Sequence, residues 1–106
     1  MQDKRKPYDL MPEELEELCK LAESIARKYI FTKVSKNDVT NFVTIVNIET
    51  KQEQLNVDVQ IELDLKPFTK FNADTLTNEA ADKAIEAIEK RLRELTSENP
   101  SSNKIS

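Results

Sequence analysis

Residues 55–65, LNVDVQIELDL, carry the clearest secondary-structure signal in this sequence. Apolar and polar side chains alternate at every position of this stretch. Because successive side chains of a β-strand point to opposite faces, the pattern predicts a half-buried strand with one apolar face and one acidic face. The apolar face must be covered, so the elements on either side are expected to pack against it.

A second strand precedes this one. Residues 42–48, FVTIVNI, are rich in β-branched side chains and lack helical spacing, which favours a strand. The polar residues 50–53 separate the two strands and lack the glycine or Asn-Gly pair that tight two-residue turns prefer. They therefore predict an antiparallel hairpin closed by a loop of four or more residues.

Amphipathic helices flank the hairpin on both sides. Pro12 and the glutamates after it mark the start of a helix that runs to about Phe31. A second helix runs from Ala73 to about Leu95 and is preceded by Asn72 as a helix cap. The sequence therefore predicts an α+β fold of order helix-strand-strand-helix, with both helices packed on one face of the hairpin.

The chain length of 106 residues suits one domain. We predict a flexible lead over residues 1–11, a single αββα domain over residues 12–95 and a disordered tail over residues 96–106. Phe68 and Phe71, in the loop before the second helix, are expected to tuck under that helix. The predicted core comprises Leu15, Leu18, Ile25, Leu55, Val57, Val59, Ile61, Leu63, Leu76 and Ile88.

A hairpin of two long strands leaves two unpaired edges, and neither strand contains a glycine bulge or a proline that would guard it. The economical solution is a homodimer in which two hairpins join edge to edge into a four-stranded sheet. The alternative is a monomer, with the N-terminal lead as a third strand or with edges left in water.

The composition excludes several function classes. There is no glycine, histidine or tryptophan, and Cys19 is the single cysteine. These absences exclude a glycine-rich phosphate loop, a Ser-His-Asp triad, a zinc site of the usual kind and an internal disulfide. We therefore expect no cofactor, no metal and no enzymatic activity. No apolar run approaches the length of a membrane span, so we expect a cytoplasmic protein.

Charged side chains suggest one candidate binding surface. The order of the elements brings Lys33, Lys36, Lys66 and Lys70 to one end of the domain, where they could contact an anion or RNA. Ordinary solvated lysines are the commoner explanation. The carboxylates of the acidic strand face are best explained as the wet side of a sheet. At the opposite end, the acidic start of the first helix should meet the basic close of the second.

Three segments carry a family resemblance: EELEELC (residues 13–19), ARKYIF (26–31) and LNVDVQIELDL (55–65), followed by Phe68 and the alanine-rich helix. Together they resemble a small archaeal family of unknown function. The resemblance covers about residues 10–95 and brings no catalytic residue with it. It implies genes near that of the prefoldin beta subunit and near that of the small dimer-forming subunit of the KEOPS tRNA-modifying complex.

The KEOPS small subunit also offers a distant architectural likeness, since it too packs helices on an antiparallel sheet and pairs with a second copy. This chain departs from it by having a long helix where that protein has its first strand. The leading functional prediction is a non-enzymatic, dimer-forming adaptor associated with a tRNA-modification assembly. The alternatives are weak RNA or anion binding through the lysine-bearing end, and an enzyme that uses the Asp/Glu face.

Overall fold

The alternating stretch forms the second strand of a two-stranded antiparallel sheet in the computed structural model, which describes residues 10–52 and 54–96. The elements in chain order are helix α1 (Pro12–Lys33), a short 3-10 turn (Lys36–Asp38), strand β1 (Val39–Lys51), strand β2 (Gln54–Leu65) and helix α2 (Ala73–Thr96). The predicted α+β class and the helix-strand-strand-helix order are confirmed. Most of the predicted lead and tail, residues 1–9 and 97–106, lies outside the described part of the chain.

The hairpin is longer and more tightly closed than the sequence predicted. β1 begins at Val39 and pairs with β2 as far as Lys51, which lies opposite Gln54. The prediction of a loop of four or more residues is therefore wrong, because only residues 52 and 53 join the strands. Gln52 adopts a φ of 52°, so a non-glycine residue takes the left-handed conformation that tight hairpin turns need.

Both helices begin with local hydrogen bonds that satisfy free backbone N–H groups. At α1, Pro12 occupies the first turn, and the Glu14 carboxylate accepts a hydrogen bond from the Met11 N–H at 2.9 Å. At α2, the Asn72 side-chain oxygen accepts from the Thr75 N–H at 3.0 Å, which confirms Asn72 as the cap. These caps set where each helix leaves the neighbouring loop.

The core lies between the two helices and one face of the hairpin. Of the predicted core residues, Leu18, Val59, Leu63, Leu76 and Ile88 are buried. Val57 and Ile61 are half-buried and pack against that cluster, while Leu15, Ile25 and Leu55 are half-buried. Leu10, which belongs to the predicted lead, also packs against the core.

Alanines supply much of the fully buried helical surface. Ala22 and Ala26 of α1, and Ala80 and Ala84 of α2, are completely inaccessible to solvent. Small side chains allow a helix to approach its neighbour closely, because the backbones are then separated by little more than methyl groups. This explains how two helices fit side by side over the two strands that the structure describes.

An ion pair joins the helices at the end opposite the lysines. The Arg91 guanidinium donates to the Glu17 carboxylate at 2.8 Å and to the Glu94 carboxylate at 2.9 Å. The expected meeting of the acidic start of α1 with the basic close of α2 is thereby confirmed. Glu17 is the principal cause of the raised pKa of Arg91. Within residues 10–52 and 54–96, no helix is long and apolar enough to cross a membrane.

Candidate functional site

The loop between β2 and α2, residues 66–72, is held at one end of the domain. The Lys66 N–H donates to the Asp38 carbonyl at 2.8 Å, which ties the loop to the turn before β1. Thr69 caps the first part of the loop, since its hydroxyl donates to the Lys66 carbonyl at 2.7 Å. These hydrogen bonds therefore hold the backbone of residues 66–69, the first half of the loop.

Phe68 has the most unusual conformation in this loop. Its φ is 72°, and its side chain is fully exposed. Pro67 precedes it, and the Thr69 N–H lies 3.3 Å from the Lys66 carbonyl, which is the pattern of a type II turn with phenylalanine where glycine is preferred. A left-handed conformation costs a residue with a Cβ about 1–2 kcal/mol, and Phe68 gains no burial in return.

Phe71 also faces solvent, with 46% of its surface exposed. The prediction that the two phenylalanines tuck under the second helix is therefore wrong. Proline at position 67 and the positive φ at Phe68 turn the chain so that the Phe68 ring points away from the core. Instead, both rings border an open recess of about 450 Å³, whose other lining residues are Asp38, Lys66, Pro67, Thr69 and Lys70.

The four candidate lysines do not form one cluster. Lys66 and Lys70 both line the recess beside Phe68. The Lys36 ammonium lies 5.9 Å from the centre of the Phe31 ring, and Phe31 packs edge-on against Phe42 of β1. These contacts place Lys36 on the β1 side of α1.

Lys33 lies on the other side of α1, toward α2. Its ammonium is 5.4 Å from the centre of the Tyr29 ring, and the Lys83 ammonium is 5.7 Å from the same ring. The Tyr29 hydroxyl donates a hydrogen bond to the Glu79 carboxylate, and this bond is the main cause of the raised pKa of Tyr29. Sequence reasoning missed this contact, because no local pattern relates residues fifty positions apart.

The acidic side chains of β2 form an exposed row on the outer face of the sheet. Asp58 pairs across the hairpin with Asn47, Glu62 with Val43 and Asp64 with Asn41. Among the described residues, His, Cys, Asp and Glu side chains nowhere come together in a group of three that could hold a metal ion.

Cys19 is half-buried on α1, where desolvation first and the nearby Glu16 second raise its thiol pKa. A raised pKa keeps a thiol protonated at neutral pH, and the thiolate is the form that acts as a nucleophile. This environment therefore favours a structural cysteine.

The outer face of β1 differs in character from that of β2. Val43 and Ile45 each expose 38% of their surface there, and residues 39–48 contain no charged side chain. Along the described chain the sheet has two strands, so the outer edge of β1 lacks a neighbouring strand. On its inner edge, β1 pairs with β2, and this pairing is irregular only between Val39 and Asn41.

Comparison with known proteins places the chain among archaeal relatives. An uncharacterized protein of Thermococcus kodakarensis is 30% identical over 90 residues, which cover 85% of this chain and 82% of that protein. An uncharacterized protein of Pyrococcus furiosus is 31% identical over 90 residues, covering 85% and 80%.

Two solved structures share the fold. A crystal structure from Thermococcus onnurineus matches with a TM-score of 0.69 and 28% identity, over 80% of this chain and 82% of that chain. The solution structure of a hypothetical protein from Methanothermobacter thermautotrophicus matches with a TM-score of 0.70 and 24% identity, over 78% and 89%.

A family model described as a protein of unknown function, DUF3194, matches residues 8–91. This match covers α1, the whole hairpin and all of α2 except its last turn and a half. The chain therefore belongs to the DUF3194 family.

Proposed function

We propose that the protein is a non-enzymatic, cytoplasmic adaptor that forms a homodimer through the outer edge of β1. The observation that carries the proposal is the open edge of a 13-residue strand whose residues 39–48 carry no charged side chain. An unpaired strand edge presents a row of backbone N–H and C=O groups that can pair with another strand. A second copy of the same strand can satisfy that row through a two-fold axis.

The charges of the two strands favour β1 over β2 as the dimer edge. Two β2 edges paired around a two-fold axis would bring Asp58, Glu62 and Asp64 of both copies onto one face. Like charges directly opposite one another on neighbouring strands destabilise a sheet. Residues 39–48 of β1 carry no such charges.

Pairing through β1 also groups apolar side chains. With the two-fold axis near Thr44, Val43 of one copy lies beside Ile45 of the other on the outer face. Cross-strand pairs of β-branched side chains stabilise a sheet by about 0.2–1 kcal/mol each. The product is a four-stranded antiparallel sheet covered on one face by four helices.

The dimer would present the loop of residues 66–72 twice, because an antiparallel pair of β1 strands directs its two Val39 ends in opposite directions. A partner with two matching sites could then bind both loops with increased avidity. Association with a tRNA-modification assembly, which the family resemblance implies, is part of this proposal. Co-purification from native cells, with and without nuclease, separates a protein partner from one held through RNA.

Sedimentation velocity on a matched pair of variants tests the dimer. Ile45 and Gln60 are cross-strand partners on the outer face, so Ile45→Lys and Gln60→Lys place the same charge on neighbouring strands. We expect the wild type and Gln60→Lys to sediment as dimers and Ile45→Lys as a folded monomer. Circular dichroism checks that each variant keeps its helices.

A wild type that stays monomeric at high concentration would overturn the dimer. So would equal dissociation by the two lysine variants, because that result would place the interface elsewhere than at β1. Hydrogen exchange adds a further check. Slow exchange of β1 edge amides in a monomer would indicate that the chain's own N-terminal lead covers the edge.

A further inference from the structure

We propose that the loop of residues 66–72 binds single-stranded nucleic acid, with an unpaired base stacked on Phe68 and the backbone phosphates contacted by Lys66 and Lys70. This function is independent of the dimer, since it rests on a loop at the end of the domain rather than on the edge of β1. It goes beyond a general lysine-bearing surface, because it assigns the central contact to an aromatic ring.

The first supporting observation is the state of Phe68. Its ring is fully exposed, and its backbone occupies a left-handed conformation that is unfavourable for a phenylalanine. Strained residues of this kind persist where the surrounding structure fixes them and cluster at binding sites. Here the fixing contacts are the hydrogen bonds that Lys66 makes with Asp38 and Thr69. The ring is thus carried on a fixed turn before any ligand arrives, which lowers the entropic cost of binding.

The second observation is the charge beside the ring. Lys66 and Lys70 line the same recess as Phe68 and Phe71, and Asp38 is the single carboxylate among the lining residues described. Aromatic rings flanked by lysines are typical of sites that bind single-stranded nucleic acid. The bases stack on the rings, and the lysine ammonium groups contact the phosphates of the backbone. An apolar pocket on a protein partner would require the ring but not the two lysines.

The geometry also favours a single strand over a duplex. A base stacks on a side chain only when its own face is free, and in a duplex the bases cover one another. The recess is open to solvent, so it can admit a planar group. RNA and DNA share this chemistry, and separate probes distinguish them.

Two lysines that lie outside the loop provide a control for the roles of Lys66 and Lys70. Lys33 lies over the Tyr29 ring on the side of α1 that faces α2, and Lys28 lines the same surface depression. Removal of Lys28 and Lys33 should therefore leave binding nearly unchanged. Removal of Lys66 and Lys70 takes away the same amount of charge at the same end of the domain and should weaken binding strongly.

Fluorescence anisotropy with labelled oligouridylate and oligothymidylate of about ten nucleotides tests the proposal at low salt. We expect the wild type to bind at least one of them more tightly than about 100 µM. Phe68→Ala should weaken binding roughly five- to 150-fold, which is the range for the loss of one stacked base. Lys66→Gln/Lys70→Gln should reduce the slope of log affinity against log salt by about 1.4.

Two controls make the result decisive. Phe68→Leu keeps an apolar side chain without an aromatic face, so it should behave like Phe68→Ala. Lys28→Gln/Lys33→Gln should bind like the wild type. Thermal melting of each variant shows that the domain is folded, which is expected because the altered side chains are exposed.

The proposal is overturned if neither probe binds, if Phe68→Ala binds as well as the wild type, or if a duplex of the same length binds equally well. Retained binding by Phe68→Leu would also overturn it, because the contact would then be a general apolar one. Equal effects of the two double-lysine variants would also overturn it, because binding would then depend on the positive charge of the whole surface and not on the lysines of the loop.

Discussion

Replacing Phe68 by glycine should make the protein more stable, although it removes a large apolar side chain. The reason lies in the backbone, where Phe68 has a φ of 72°. Glycine adopts such angles without steric cost, and the relief is worth about 1–2 kcal/mol. Glycine also increases the entropy of the unfolded chain, which costs roughly 0.5–1 kcal/mol. The phenylalanine ring is fully exposed, so its loss removes no buried surface.

The net expectation is a gain of about 0.5–1 kcal/mol in the free energy of unfolding, measured by urea titration. This corresponds to a rise of about 2–8 °C in melting temperature. Phe68→Ala is the matched control, because alanine keeps the Cβ that causes the strain and should leave stability nearly unchanged. A glycine variant less stable than the alanine variant would refute the left-handed conformation of this residue.

Further predictions concern the core and one long-range contact. Ile88 is completely buried, so Ile88→Ala should lower the free energy of unfolding by about 2–5 kcal/mol, and Ile61→Ala, at a half-buried position, should lower it less in the same urea titration. The buried Thr44 hydroxyl has no hydrogen-bond partner among the described residues, so Thr44→Val should raise the free energy of unfolding by about 1 kcal/mol. The hydrogen bond to Glu79 raises the pKa of Tyr29, so its contribution to stability is complete below about pH 10 and is lost as the pH rises through the folded-state pKa. Tyr29→Phe should remove that alkaline loss, which urea titrations at increasing pH would show as a flatter profile.

The helices and strands could be predicted from the sequence, because each has a periodic pattern of apolar side chains. Alternation over residues 55–65 identified β2 and its buried face, and spacings of three and four identified both helices. These patterns are local, and each is repeated over several turns or residue pairs, so one exception does not obscure them.

The turns could not be predicted in the same way. At Gln52 and Phe68 the chain takes positive φ angles without the glycine that normally signals them. Because this sequence has no glycine, no residue type in it indicates where a turn with a positive φ occurs. The sequence therefore predicts too long a hairpin loop, and it predicts Phe68 under α2 instead of in solvent.

The candidate site was predicted only in its coarse position. Element order brings four lysines toward one end, but the side of α1 that each lysine occupies depends on where the helix ends. Because α1 continues to Lys33 and a 3-10 turn follows at Lys36, these two lysines lie on opposite sides of the helix. Side-chain direction of this kind depends on the tertiary structure.

The four solvent-inaccessible alanines have a consequence for how the family can vary in sequence. A side chain larger than a methyl group at Ala22, Ala26, Ala80 or Ala84 has no space to enter, so the helices would have to separate and expose the surrounding core. In a saturation mutagenesis library, the lowest mutational tolerance should therefore fall on the smallest side chains in the protein. Positions usually treated as neutral would restrict this fold's evolution more than its leucines do.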